Sequence, residues 1–413
     1  MKTHEKTSAG KELTQLMIKS YLGDFEKAQN GAFVVWIAIM VPAEIFSGFD
    51  TIVYSIPESH AAMNAGKGVG PLQCEKAENR GYSMDLCSYA RIDMGSVFDQ
   101  GKDSPVGGLP KPDLLISNNN NCSLLVKWFE VYQRELNIPH FIIDVPFCYA
   151  SQSKKNLNYI VKQYWEMIRL IETMSGQTFH MEKVEEAVRW TGEALKHWKH
   201  FLSHANHRPS GITAFDTFVQ MAPFLTMRGT KELADHYAFL AHDTQQRVEK
   251  KIFPVPEEKY RLFWDNIAPW HQLKNMSRRM ASMNANIVGA TYTSCIGAVE
   301  GTFQRYEYDD SDPLCSLARS MNSTVCPSGL TLRTRAMKDA IKDLGIDGVV
   351  FASNRSCKPY SLTQMDQAKM IATSMDVPTV MIDVDHADVR NYNEENVFIR
   401  IGALLEKVDE GRR

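Results

Sequence analysis

The chain has 413 residues, 44% hydrophobic and 23% charged, enough to bury a substantial core and to divide into two or three domains. With 46 basic residues against 49 acidic ones, its net charge of −3 excludes a protein built to wrap nucleic acid or coat an anionic membrane. The polar opening stretch lacks the apolar core of a signal peptide, and the longest apolar run, residues 32–42, is too short to span a bilayer, so a cytoplasmic protein is expected.

In chain order, Gly10 to Asn30 has the spacing of an amphipathic lead helix, with Leu13, Met17 and Tyr21 turned inward. Ala32 to Met40 reads as a buried strand, followed by a short helix from Ala43 to Gly48 and a second strand from Thr51 to Ile56. Just past that strand stand Glu58 and His60. Cys74 to Val97 has helical pattern on both sides of Gly81. Ser83 and Asp85 can cap the second helix there, which puts Cys87 in its first turn, where free amides and the helix dipole favour a thiolate.

After the Gly- and Pro-rich loop Lys102 to Pro112 comes DLLISNNNNC, Asp113 to Cys122, and its plan returns in DGVVFASNRSCK, Asp347 to Lys358. Each begins with Asp, runs through apolar residues, breaks into an Asn-bearing turn and reaches a Cys. A helix-length gap later come IPHFIIDVP, Ile138 to Pro146, and VPTVMIDVD, Val377 to Asp385. Apolar runs without alternation suit parallel strands buried on both faces, so the chain reads as an α/β protein with two Rossmann-like (flavodoxin-like) halves. The expected divisions are 1–155 for the first half, 156–284 for a helical middle region, and 285–413 for the second half, whose strands restart at Ala285 to Tyr292.

Ligands in such folds gather at the carboxyl ends of the strands, where Cys122 and Cys357 fall. The eight cysteines are too scattered for the disulfide lattice of a small secreted domain. Cys87, Cys122 and Cys357 occupy element ends far apart in sequence, unlike the tight pairs of zinc ribbons or local ferredoxin motifs. Three ligands from separate turns can hold an iron-sulfur cluster with one iron open to a substrate; equally, each can be a small buried residue. Cys74, Cys148, Cys295, Cys315 and Cys326 are assigned to packing, Cys74 with the question of whether it approaches Cys87. Glu58 is either a solvated loop carboxylate or an acid aimed into the crevice. His60 fits a hydrogen-bonded structural residue. Arg355 and Lys358 either cap the next helix or bring positive charge to a cluster or a CoA phosphate. Asn118 to Asn121 satisfy loop backbone or donate to cluster sulfurs, and Lys127 to Tyr132 is core.

The strings GYSMDLCSYAR, NNNNCSLLVKWFE, NRSCK, PESHAA, EEKYRL and DHADVRNY, spread in order from about residue 30 to the end, resemble the 2-hydroxyacyl-CoA dehydratase family, which includes the benzoyl-CoA reductases. The resemblance implies an oxygen-sensitive heterodimer of two related subunits. Each carries a four-iron four-sulfur cluster on three cysteines, matched here by Cys87, Cys122 and Cys357. The larger subunit, which this chain resembles, binds the acyl-CoA, and an ATP-dependent iron-sulfur activator supplies one low-potential electron. That electron makes a ketyl of the thioester, which expels the adjacent hydroxide and yields an enoyl-CoA. The carboxylate matching Glu58 lies near the substrate in that family and is carried over as an aid to hydroxide departure.

One position departs from the dehydratase pattern: Ile37 stands where those enzymes have a Ser. Reduction of an aryl-CoA, as in the benzoyl-CoA reductases, is therefore a second reading, and DDSDPLCSLA, Asp309 to Ala318, leans towards it. A cluster-bearing reductase of small molecules without CoA is a third. A plain α/β binding protein, with no iron, is the non-metal alternative.

Overall fold

The computed structural model describes residues 7–149, 152–297, 303, 308–322 and 328–412. It contains two four-stranded parallel sheets, each covered by helices. The first runs β2-β1-β3-β4, from β1 (Phe33–Ile37), β2 (Ile52–Ser55), β3 (Leu114–Asn118) and β4 (His140–Ile143). The second runs β6-β5-β7-β8, from β5 (Tyr260–Asp265), β6 (Ala285–Ala290), β7 (Gly348–Asn354) and β8 (Thr379–Val384). Substituting sequence positions, both have the order 2-1-3-4, so the expected pair of flavodoxin-like halves is present. The inner strands β1, β3, β5 and β7 are almost wholly buried, whereas the edge strands β4 and β8 are half-open. That gradient explains why β1, β3 and β7 read as apolar runs.

The echo extends to single hydrogen bonds. Asp113, before β3, accepts from the amide of Val34 on β1 at 2.9 Å; Asp347, before β7, accepts from the amide of Arg261 on β5 at 2.8 Å. Each carboxylate pins its strand to the neighbour in the same register. The helices that follow the two cysteines stop alike, at Asn137 and Asp376, both with φ 54°. A proline stands two residues further on in each case, Pro139 and Pro378. Such left-handed stops suit Asn and Asp, and the proline prevents the helix from resuming before the next strand.

The middle of the chain is helical, as expected, through Lys154–Ser175, Met181–Ser203 and Lys231–Glu249. The expectation of helix as far as residue 284 missed β5, which lies inside that range and is an inner strand of the second sheet. Its sequence, YRLFWD, carries charges at positions 2 and 6, which hid it from a search for apolar runs. Both are hydrogen-bonded inside: Arg261 donates to Glu258 and to the carbonyls of Leu344 and His207, and Asp265 accepts from Thr291 and Gln364. The lead helix spans Ser8–Gln29 and rests on Lys231–Glu249, where Glu12 meets His236 at 3.0 Å.

Two helices in the first half aim at the site. Gly70–Glu78 and Ser88–Phe98 cross so closely that a Cβ at Gly95 would lie 1.9 Å from the carbonyl oxygen of Gln73, so only glycine permits the approach. That contact fixes the helix whose first residue follows Cys87.

Candidate active site where the two sheets meet

Cys87, Cys122 and Cys357 hold the same local position: each is the residue from which a helix or helical turn springs, Ser88–Phe98, Ser123–Leu136 and Lys358–Ser361. None of these starts has a side-chain cap, leaving first-turn amides without an intrahelical acceptor. Cys87 was expected one turn later, behind a cap from Ser83 and Asp85. Instead Ser83 closes a turn upstream by accepting from the Asp85 amide at 3.1 Å, and the helix begins at Ser88. Burial pushes the Cys87 thiol up to about 12, with the charge of Cys122 adding to it, while the amides of Ala90 and Tyr89 pull the other way. Burial likewise raises Cys122 against the amides of Leu124 and Leu125. Both sulfurs thus sit where a thiolate is poorly solvated yet faced by backbone N–H groups, an environment that favours bonding the thiolate to a positive centre.

The seam between the halves brings these residues together. Ser88, next to Cys87, donates its amide to the Ser356 hydroxyl, next to Cys357, at 3.2 Å. Asp385, just past β8, accepts from Ser88 Oγ at 2.6 Å and from Ser356 Oγ at 2.9 Å, clamping both turns with one buried carboxylate. Tyr89 lies within electrostatic reach of both the Cys87 and Cys357 thiols, and its ring meets His386 edge-on at 4.3 Å. Nε2 of His386 stands 3.5 Å from Cys87 Sγ and 3.0 Å from Ser88 Oγ. Burial lowers His386 to about 4, so its ring is neutral near pH 7.

Glu58 lies in the first turn of the helix Pro57–Gly66 and is 5% exposed, so it is no solvated loop carboxylate. Its Oε1 accepts from the Ile39 amide at 3.1 Å, while Oε2 is buried without a partner among the described residues. Burial raises Glu58 to about 8, and its charge reaches Cys122. It is therefore a protonated acid near pH 7, tethered at one oxygen and open at the other, beside the thiols. Ile37, at the end of β1, is fully buried and brings no hydroxyl.

The remaining candidates take structural parts. His60 bonds Asp93 at 2.5 Å and Ser104 at 2.9 Å, and Asp93 also accepts from Tyr132, a closed network beneath the site. Asn119 accepts from the Val145 amide at 2.7 Å and Asn120 donates to the Val145 carbonyl, so this turn satisfies loop backbone. Arg355 is paired with Asp383, and Lys358 donates to the Arg355 carbonyl. Among the described residues, the group of metal-ligand types close enough to share a single ion is Cys74, Glu78 and Asp388. The Arg91 guanidinium already bonds both carboxylates there, at 2.6 and 3.0 Å. Cys326 lies outside the described residues.

Residue-type reasoning assigned no role to Ser88, Ser356, Asp385 or His386. The last two stood in the quoted DHADVRNY string, and a signal existed: they lie directly past a strand's carboxyl end, where ligands collect.

The donor set suits a four-iron four-sulfur cluster: three thiols from three separate turns, amides aimed at two of the sulfurs, and partly buried surroundings.

A family model described as 2-hydroxyglutaryl-CoA dehydratase, D-component, matches residues 38–408. The chain is 31% identical over 411 residues to the (R)-phenyllactyl-CoA dehydratase alpha subunit of Clostridium sporogenes, covering 96% of this chain and 97% of that one. It is 30% identical to the (R)-2-hydroxyisocaproyl-CoA dehydratase alpha subunit of Clostridioides difficile, covering 99% and 98%. It is also 27% identical to one of the subunits of the benzoyl-CoA reductase of Thauera aromatica, covering 89% and 87%.

Proposed function

Because the chain belongs to the 2-hydroxyglutaryl-CoA dehydratase, D-component, family, we propose that it is the iron-sulfur, substrate-binding subunit of an (R)-2-hydroxyacyl-CoA dehydratase. It is then a hydro-lyase acting on an acyl-CoA with a homologous second subunit and an ATP-dependent activator. No described helix is long and apolar enough to cross a membrane. Across the reaction the C2–OH and C3–H bonds break, C2=C3 forms and water leaves, with no net oxidation.

Cys87, Cys122 and Cys357 would hold the cluster. When bound, it would supply one-electron reduction of a thioester carbonyl, the chemistry that makes an adjacent hydroxyl a better leaving group. The chain's own residues provide the rest. Glu58, held at Oε1 by the Ile39 amide, keeps a proton on its other oxygen, can hand it to the departing hydroxide, and as the resulting carboxylate can take up the C3 proton in exchange. The clamp of Asp385 on Ser88 and Ser356 holds the turns of Cys87 and Cys357 together across the seam.

The single observation that carries this reading is the hydrogen bond between the residues following Cys87 and preceding Cys357, 268 positions apart in sequence. The test is iron content after anaerobic purification: about four irons per chain are expected, and none in Cys357→Ala. Iron unchanged by that substitution refutes the ligand set. A second reading, aryl-CoA reduction, is favoured by the apolar Ile37. Water elimination from a 2-hydroxyacyl-CoA with only catalytic electrons supports the dehydratase, and consumption of reductant in step with benzoyl-CoA supports the reductase.

A further inference from the structure

We infer that His386 is a hydrogen-bond donor to the Cys87 sulfur, a positioning residue that sets the reduction potential of the cluster held there; the inference rests on the reading of Cys87 as a cluster ligand.

The geometry assigns the hydrogen. Nε2 of His386 has two neighbours, Ser88 Oγ at 3.0 Å and Cys87 Sγ at 3.5 Å. The Ser88 hydroxyl is already spent on Asp385 Oδ1 at 2.6 Å, the short separation of a hydroxyl bonded to a carboxylate, so its oxygen faces Nε2 as an acceptor. Asp385 is held in that role by the Ser356 hydroxyl at 2.9 Å and the amides of Ala387 and Asp388, each at 3.0 Å. A thiolate sulfur is also an acceptor. With acceptors at both contacts, Nε2 must carry the hydrogen, shared between oxygen and sulfur. Nδ1 is buried with no hydrogen-bond partner among the described residues, and Asp385 Oδ1 is 3.9 Å away from it, too far to draw the proton across. No charge on the ring is needed, because Nε2 carries a hydrogen in the neutral ring so held and in the imidazolium alike.

The ring cannot easily turn away. Tyr89 packs against it edge-on, Trp270 donates its amide to the His386 carbonyl at 3.0 Å, and the residue is fully buried. A hydrogen bond to a ligand sulfur draws electron density from it and favours the more reduced state of a cluster. Its removal should make the midpoint potential more negative. The donor also comes from the second half and the sulfur from the first, so the seam that assembles the site would tune it as well.

The experiment compares His386→Gln and His386→Asn in the full chain, purified anaerobically. The Gln amide nitrogen reaches the place of Nε2, whereas that of Asn stops near the place of Nδ1. Iron per chain is measured first, then the midpoint potential, by titration with a low-potential chemical reductant followed by electron paramagnetic resonance. With iron equal in all three proteins, the expected result is a wild-type potential in the Gln variant and a more negative one in the Asn variant. Equal potentials throughout overturn the inference and leave the cluster reading intact; wild-type protein without iron overturns both. Should the Asn variant fail to fold, His386→Ala removes the donor outright, and the potential is expected to move in the negative direction. No movement there also overturns it.

Discussion

The two sheet mouths are copies in topology and opposites in chemistry. In the first, the buried carboxyl past β2 is Glu58, with one oxygen bonded to a backbone amide and the other without a partner among the described residues. In the second, the strand equivalent to β1 ends in Asp265, where the matching register position in the first copy is Ala38. Asp265 is equally buried, yet both oxygens are taken, by Thr291 at 3.0 Å and Gln364 at 2.7 Å. A second contrast lies on the edge strands β4 and β8. FIIDVP in the first copy matches VMIDVD in the second, so Pro146 stands where Asp385 makes the clamp. A proline cannot grip two hydroxyls, which is why the clamp reaches from the second half to the first and not back. Burial alone therefore does not mark a working acid; what separates Glu58 from Asp265 is an oxygen left over beside the thiols.

Breaking the shared thiol site has the largest expected effect. Cys122→Ala should remove all bound iron, measured per chain after anaerobic purification, while Cys74→Ala, beside the Arg91 ion pairs, should retain it. Next comes Glu58→Gln, which keeps the shape and the tether to Ile39 and removes the proton donor. Turnover of a 2-hydroxyacyl-CoA should fall by about 10²–10⁴-fold with iron content unchanged. The wild-type rate should decline as pH rises through about 8, where Glu58 loses its proton, and the Gln variant should lack that limb. The stability effect has the same origin. Between the ordinary value of 4.5 and about 8 the unfolded chain ionises this carboxyl and the folded chain does not. The unfolding free energy of the wild type, from denaturant titration, should therefore drop with rising pH in that window, by at most about 1.4 kcal/mol per pH unit, and the Gln variant should be flatter.

Much of this was legible in the sequence for reasons of burial and geometry. Strands covered on both faces must be apolar, so β1, β3 and β7 announced themselves, and the paired Asp, Asn-turn and Cys pattern survived because each element has a fixed job: Asp113 and Asp347 set register, and the turns deliver Cys122 and Cys357. β5 was hidden by Arg261 and Asp265, whose charges are satisfied by residues from 3 to 99 positions away. Nothing local advertises the partner of Asp265, 99 positions away. The unpartnered oxygen of Glu58 and the Asp385 clamp were invisible for the same reason: satisfaction is a property of the assembled fold. The single residue Cys87 was placed within a turn of its true position, but its role as the helix start depends on where Ser83 spends its hydroxyl.

Asp265→Asn sharpens the comparison at a smaller scale. The amide keeps the volume and one acceptor oxygen, but turns an NH2 towards either Thr291 or the Gln364 amide, which already donates. One mismatched buried pair is expected to cost about 1–3 kcal/mol in a denaturant titration, with iron content and turnover per iron unchanged. A loss of turnover at constant iron would place Asp265 in the chemistry and erase the distinction between the two mouths.

The smallest effect is expected where the two copies carry the same residue on the same strand end. Asp144 and Asp383 match in FIID and VMID, yet Asp144 accepts from Asn119 and from Tyr159 at 2.8 Å, tying the turn before Cys122 to the strand, while Asp383 meets only Arg355 in an exposed pair among the described contacts. Water competes for both partners of the exposed pair, and ordering two mobile side chains offsets most of its attraction. Asp383→Asn should leave the denaturant midpoint unchanged within error, whereas Asp144→Asn should lower it measurably and loosen the Asn119 turn, seen as faster amide exchange at Asn119 and Val145. If the two substitutions behave alike, the turn before Cys122 is held by its backbone alone, and the side-chain asymmetry between the copies is confined to Glu58, Asp265 and Asp385.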